Sequence, residues 1–304
     1  MNRFLYYITY ALCFLLATLP FRLLYLFSDI VYFIIYYIVG YRKKLARKNL
    51  INSFPDKSQK EILAIEKAFY HHFCDYFFET IKLLNMSASR MKKHFIFKNE
   101  ELIQYFLKQG KPVILLLGHF GNWEWVTSVT LWIKPNDDLV IGQIYRPLRN
   151  KISDKLFLRI RKSFHSVGFD KYNVYKDIVK MRKAGKNWLL GFMSDQKPSP
   201  NNPQIRVRFL NQDTPVLTGT EKIARHADAA VCYLDIKKTK RSFYEGKVKL
   251  VSENPAENQE FEITKKYMQL LEKTILRDPA GYLWTHNRWK YSKKITNYEL
   301  RITE

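Results

Sequence analysis

Pro112-Val-Ile-Leu-Leu-Leu-Gly-His-Phe-Gly-Asn-Trp-Glu-Trp125 is a continuous apolar run, β-branched at Val113 and Ile114, closed by Gly118 and followed at once by a histidine. An unbroken apolar run of this length reads as a strand buried on both faces, the signature of a parallel sheet covered by helices. Gly121 and Asn122 then open a helix, with Asn122 at its cap. Five positions along a regular helix turn through about 140°, so His119 and Glu124 would face apart if both were helical. They form a pair only if His119 lies in the loop and Glu124 folds back beneath it from the first turn. Glu124 would then fix the imidazole tautomer, and the free ring nitrogen would take a proton from a hydroxyl or amine. Such a base suits attack on an acyl thioester, with nearby donors for the oxyanion. The bland alternative is a histidine that only bonds its own turn.

Outward from this block, strand and helix patterns alternate. Ser58 with Glu61 makes a capping box ahead of apolar residues at helical spacing to Leu84, which predicts one long helix. A short helix over Glu100–Lys108 leads into the Pro112 strand. Further strands are expected over Asp138–Tyr145, Trp188–Met193, Ala230–Ile236 and Lys247–Val251, with helices over Leu148–His165, Tyr175–Lys183 and Glu260–Leu276. This order predicts an α/β domain with a mixed sheet flanked by helices. In such sheets function gathers at the carboxyl ends of strands. His119, Arg146 and Asp195 each follow a predicted strand end, so one surface could hold all three. Two roles are open to Arg146: binding a substrate phosphate or the oxyanion, or a loop-fixing salt bridge to Asp195 or Glu124. Asp195 is read as support for His119 or as a helix cap. Arg288 and Lys290, beside Trp289, are read as binding acceptor phosphate at an interface.

Residues 1–40 stand apart. Phe4 to Phe21 is apolar save for Thr9 and Thr18, and Leu23 to Gly40 save for Ser28 and Asp29, each near the roughly 20 residues that span a bilayer. Pro20 and Arg22 interrupt them, so either a spanning helix followed by an interfacial one or a shallow hairpin is expected. Ala17-Thr-Leu-Pro20 is a poor cleavage site for a signal peptide. The chain is therefore divided into a membrane anchor, 1–40, and a catalytic domain, 41–304, whose site is expected to survive loss of the anchor. Arg42, Lys43, Lys44, Arg47 and Lys48 follow the apolar region and predict a cytoplasmic domain. The net charge of +23 would suit a nucleic-acid binder, yet no nucleic-acid motif accompanies it. Basic charge beside an apolar segment instead fits membrane lipids, an acidic carrier protein and a phosphorylated glycolipid. The three cysteines, Cys13, Cys74 and Cys232, are scattered in apolar stretches and imply no disulfide framework. No metal box is seen, and neither metal nor cofactor is expected.

From residue 41 to 291 the chain resembles the late acyltransferases of bacterial lipid A biosynthesis, the lauroyl and myristoyl transferases related to the phosphatidylinositol mannoside acyltransferases. The resemblance rests on ordered blocks: Tyr41-Arg-Lys-Lys-Leu-Ala-Arg-Lys-Asn-Leu-Ile-Asn-Ser-Phe-Pro55, His119 to Glu124, Tyr145-Arg-Pro-Leu148, Ser194-Asp-Gln196 and Tyr282-Leu-Trp-Thr-His-Asn-Arg-Trp-Lys290. It implies a glycerolipid-acyltransferase-like fold, His119 and Glu124 as the catalytic dyad, and supporting roles for Arg146 and Asp195. It also implies an acyl-carrier-protein or acyl-CoA donor, a lipid A precursor as acceptor, and a place at the bacterial inner membrane. Lys197, where many members have an acidic residue, and the less aromatic Phe209-Leu-Asn211 are departures that bear on chain length and acceptor. Other acceptors remain open, among them a mannosylated phosphoinositide, a lysophospholipid or an aminolipid, as does a non-catalytic basic membrane protein. A glycerol-phosphate acceptor is the weaker fit, because Leu217-Thr-Gly-Thr-Glu221 lacks the Pro and Arg of the usual phosphate-binding block.

Overall fold

The computed structural model describes residues 3–199 and 205–291. Helices α1 (Arg3–Thr18) and α2 (Phe21–Phe33) come first, and α2 runs on into a π-helical turn, Ile34–Val39. Helices α3 (Lys43–Ser53), α4 (Gln59–Lys82) and α5 (Ala88–His94) follow. The chain then passes through β1 (Phe95–Lys98), α6 (Glu101–Lys108), β2 (Val113–Leu117), β3 (Leu139–Tyr145), α7 (Lys151–Arg161), β4 (Val167–Asp170), α8 (Val174–Lys183) and β5 (Asn187–Met193). A hairpin of β6 (Arg206–Phe209) and β7 (Gln212–Pro215) precedes α9 (Gly219–Ala227), β8 (Ala230–Lys240), β9 (Phe243–Ser252) and α10 (Glu262–Arg277).

Seven strands form one sheet in the order β1-β9-β8-β2-β5-β3-β4, and the hairpin stands alone. All neighbours are parallel except β8 and β9, so the mixed sheet expected from the sequence is present. Strand β2 lies at the centre with every residue buried, as its unbroken apolar run requires. Its register with β5 pairs Leu117 with Met193. Side chains two residues beyond each strand, at positions 119 and 195, are thereby brought level.

Helix α4 carries the capping box read from the sequence, with Ser58 and Glu61 exchanging side-chain and backbone bonds. It is also the beam on which α2 rests. Tyr25 Oη donates to Glu79 at 2.8 Å, Ser28 Oγ to Asp75 at 2.8 Å and Tyr36 Oη to Glu66 at 2.9 Å. Ascending positions on α2 meet descending positions on α4, so the two helices run antiparallel. All three carboxylates are fully buried. Arg47 closes on Glu66 at 2.7 Å, and Arg241, in the β8–β9 turn, donates to Asp75 at 2.6 Å. Buried carboxylates persist only when paired and bonded in this way. At the other end Lys82 Nζ donates to the carbonyls of Ala17 and Leu19, capping α1 with a buried cation. The first forty residues thus share their polar network with the helices and strands that follow.

Candidate active site

The loop between β2 and the following segment is fixed from three sides. Gly118 lies so close to α10 that an added Cβ would fall 2.4 Å from Leu271 Cδ1. Gly121 has φ +61°, a conformation that favours glycine, and its N–H donates to the Gly281 carbonyl at 2.9 Å. Leu283 N–H donates to the His119 carbonyl at 3.2 Å, and His72 on α4 bonds the Gly121 carbonyl at 3.3 Å. Burial drives His72 well below the ordinary histidine range, and the nearby Lys238 acts in the same direction.

His119 projects from this loop toward Asp195. Nδ1 lies 2.7 Å from Asp195 Oδ1, and the His119 backbone N–H donates to Oδ2 at 3.0 Å. Burial alone would raise the Asp195 carboxyl, but the imidazole and these bonds outweigh it and hold the acid below its ordinary value. Asp195 is 1 % exposed, whereas the imidazole keeps a 14 % opening. On the far side of the ring, Gln196 Nε2 is 3.1 Å from Nε2. With the carboxylate at Nδ1 and the amide at Nε2, the arrangement fits a ring proton on Nδ1 and leaves Nε2 as the nitrogen turned away from Asp195.

Glu124, read from the sequence as the partner of His119, is bonded elsewhere. Residues Trp123–Leu131 form a 3₁₀ helix, which turns Glu124 into the interior at 3 % exposure. Arg161 on α7 clamps it with two bonds, Nη2 to Oε1 at 2.6 Å and Nε to Oε2 at 2.8 Å. Tyr76 Oη adds a third at 3.4 Å. Asn122 occupies the position before this helix as expected, but its side chain does not cap: Nδ2 donates to Glu79 Oε2 at 2.9 Å. Glu79 also accepts from Tyr244 and Tyr25, and its backbone carbonyl from Trp125, so α4 holds both the segment after His119 and α2.

Arg146 is exposed one strand beyond β5, level by register with Ser194, and makes no ion pair among the described residues, so the loop-fixing bridge is not formed. Arg288 departs from its expected place. It is 1 % exposed and cannot reach an interface, and among the described residues its guanidinium has no hydrogen-bond partner. Burial lowers its pKa, opposed by Tyr282, Asp195 and Tyr267. Trp284 is fully buried against Phe54 and Trp289, and Lys290 alone of this block's cations is exposed.

A small cavity of about 40 Å³ adjoins the site. Leu115, Leu117, Val129, Leu189 and Met193 make it chiefly apolar. Trp123 lines it and also meets the imidazole edge-on at 5.2 Å. The Glu124–Arg161 pair forms its polar wall. Among the described residues one group offers three potential metal ligands, Asp29, His71 and Asp75. Arg241 and Lys238 already sit on its carboxylates, which makes it an ion-pair cluster.

Asp195 could be placed from the register once β2 and β5 are known neighbours. Gln196, the next residue, follows from the same placement, but Arg161 carries no such signal, since its contact depends on how α7 covers the sheet.

Residues 1–291 match the family described as bacterial lipid A biosynthesis acyltransferase. The chain is 23% identical over 251 residues to the lipid A biosynthesis palmitoleoyltransferase of Escherichia coli (strain K12), covering 82% of this chain and 79% of that protein. The lipid A biosynthesis acyltransferase of Shigella flexneri matches to the same extent. With nearly the whole described chain inside the family's bounds, this protein belongs to the bacterial lipid A biosynthesis acyltransferases.

Proposed function

We propose that this acyltransferase moves a fatty acyl group from an acyl-carrier-protein or acyl-CoA thioester onto a hydroxyl of a lipid A precursor, with His119 as general base. The observation that carries the reading is the 2.7 Å bond between His119 Nδ1 and Asp195, with Nε2 turned away from it. An acceptor hydroxyl replacing Gln196 at Nε2 gives up its proton there as its oxygen attacks the thioester carbonyl. The tetrahedral oxyanion then collapses, the carbon–sulfur bond breaks, and the thiolate takes the proton back from Nε2. Asp195 holds the ring and stabilises the imidazolium between the two transfers. The Gln196 amide is a donor within reach of the same space, suited to the oxyanion.

Glu124 enters this reading through Arg161, as the polar wall of the small cavity beside the imidazole, and the apolar remainder of that cavity suits the end of an acyl chain nearest the ring. Arg146, exposed and uncommitted at the same end of the sheet, suits the phosphate of the donor's pantetheine arm. The basic run from Arg42 to Lys48 supports a cytoplasmic site at the inner membrane, open to an acidic carrier protein and a phosphorylated glycolipid.

The test is transfer of labelled acyl groups by purified variants, paired with mass spectrometry of total lipids from cells with and without the active gene. His119→Ala should lose about 10²- to 10⁴-fold in kcat. Asp195→Asn should lose activity by a similar order, because it misorients the ring, with KM for the donor little changed. Wild-type turnover in folded His119→Ala would overturn the mechanism. A missing acyl group on a lipid other than lipid A would overturn the acceptor.

A further inference from the structure

Helix α2 with its π turn, Phe21–Val39, is long and apolar enough to cross a bilayer. Its bonding argues against a crossing. On α2 the outward residues are apolar: Leu26 is 56 % exposed, Ile30 49 % and Phe33 56 %. On α1, Phe4, Leu12 and Leu15 are bared in the same way. The inward stripe of α2 carries hydroxyls and binds the acids of α4 from Tyr25 to Tyr36, a length of about 16 Å. A water-facing helix has the reverse distribution.

The middle of α2 is the most charged part of this contact. Asp29 pairs with Arg241 and His71, and Asp75 beside them takes Arg241 and Lys238. In a spanning pose this cluster would sit at the centre of the hydrocarbon. The β8–β9 turn with exposed Lys240, and α4 with exposed Lys60 and Lys67, would be drawn in with it. Charges at that depth are strongly disfavoured, and irregular backbone is tolerated there only where protein or water covers it. Laid on its side, the same helix meets no such difficulty. The outward apolar residues enter the acyl region, and the cluster stays at head-group level. Both ends of α2 then lie in one plane, where exposed Arg22 at one end and Arg42 and Lys44 just beyond the other meet anionic head groups.

We propose that α1 and α2 dock side-on into a single leaflet of an anionic bilayer and do not cross it. The test uses the full chain in cells, with Cys13→Ser removing the one partly exposed native thiol; Cys74 and Cys232 are buried. Single cysteines are placed by Arg22→Cys, Lys44→Cys and Ile30→Cys, and a membrane-impermeant maleimide is added to spheroplasts, to lysed membranes and after detergent. Side-on docking keeps positions 22 and 44 on one side, so they label to equal extents at every stage, and position 30 labels only after detergent. Labelling of position 22 from one side and 44 from the other would show a crossing and overturn the proposal. Ready labelling of position 30 in intact membranes would overturn it too, by showing that this face is not in lipid. Neither readout depends on acyl transfer, so failure here is separable from failure of the catalytic reading.

Discussion

Helices α2 and α10 both pack on the body of the protein, and they are built inside out with respect to each other. Helix α10 turns Ile263, Met268, Leu271 and Ile275 to the sheet and exposes Lys265, Lys266 and Lys273. Helix α2 with its π turn brings Tyr25, Ser28 and Tyr36 inward onto buried acids and exposes leucine, isoleucine and phenylalanine. The core can therefore accept either kind of face, provided each polar group brings its partner. What differs is the medium outside. The outer face of α10 is made for water, and that of α2 for hydrocarbon.

The comparison can be broken most forcefully at α10. Leu271 is fully buried against Gly118, and Leu271→Ala should destabilise the protein by about 2–5 kcal/mol in urea titrations in detergent. On α2 the corresponding contact is a hydrogen bond. Tyr25→Phe removes the donor to the buried Glu79 carboxylate and should cost about 1.5–3 kcal/mol in the same assay. An unchanged midpoint there would mean that the polar face of α2 adds nothing to the fold.

Acid titration sharpens the contrast from the side of the His119 loop. Burial first, with His119, Arg288 and Lys197 acting the same way and Asp195 opposing, pushes His286 from 6.5 down to about 4. A base whose folded pKa is depressed contributes stability that is present above its unfolded pKa and lost as pH falls through the folded one. Stability should therefore decline from about pH 6.5 to about 4, and His286→Gln should flatten that slope without altering the plateau's position on the pH axis. The smallest effects belong to the outer faces. Ile30→Ser and Lys273→Leu should each change stability in detergent by no more than about 0.5 kcal/mol. Only Ile30→Ser should weaken binding to anionic vesicles, measured by flotation.

The central strands were legible because an unbroken apolar run has few other uses, and α4 because Ser58 and Glu61 announce its start. Strand β4, Val-Gly-Phe-Asp, is short and only half buried and has no period to read; in the β6–β7 hairpin Arg-Val-Arg-Phe alternates over four residues only, and its partner Gln-Asp-Thr-Pro does not alternate. The hairpin turn places Leu210 and Asn211 at positive φ, which the leucine gives no hint of. In the site, the sequence offered two acids to His119, Glu124 as its orienting partner and Asp195 as support or a helix cap, and the hydrogen bond goes to Asp195. Sequence proximity favoured Glu124, five residues away, whereas the register across β2 and β5 supplies Asp195 from 76 residues away. Arg288 misled for a related reason. A cation between aromatic residues near a chain's end reads as surface, and only the packing of Trp284, Tyr282 and Tyr267 makes it interior.

The bonds from Gly281 and Leu283 to the His119 loop also bear on the birth of the protein. A ribosome adding about 5–20 residues per second makes His119 on the order of ten to thirty seconds before it makes Leu283. During that interval α1 and α2 have emerged and can already meet lipid, while the loop lacks the strand-like segment that clasps it. Helix α3 waits as well, for Asn49 and Arg42 bind the carbonyls of Trp284, His286 and Thr285. A nascent chain is thus able to find its membrane before it is able to form the His119 loop, and chains truncated short of residue 281 should be membrane-bound and inert.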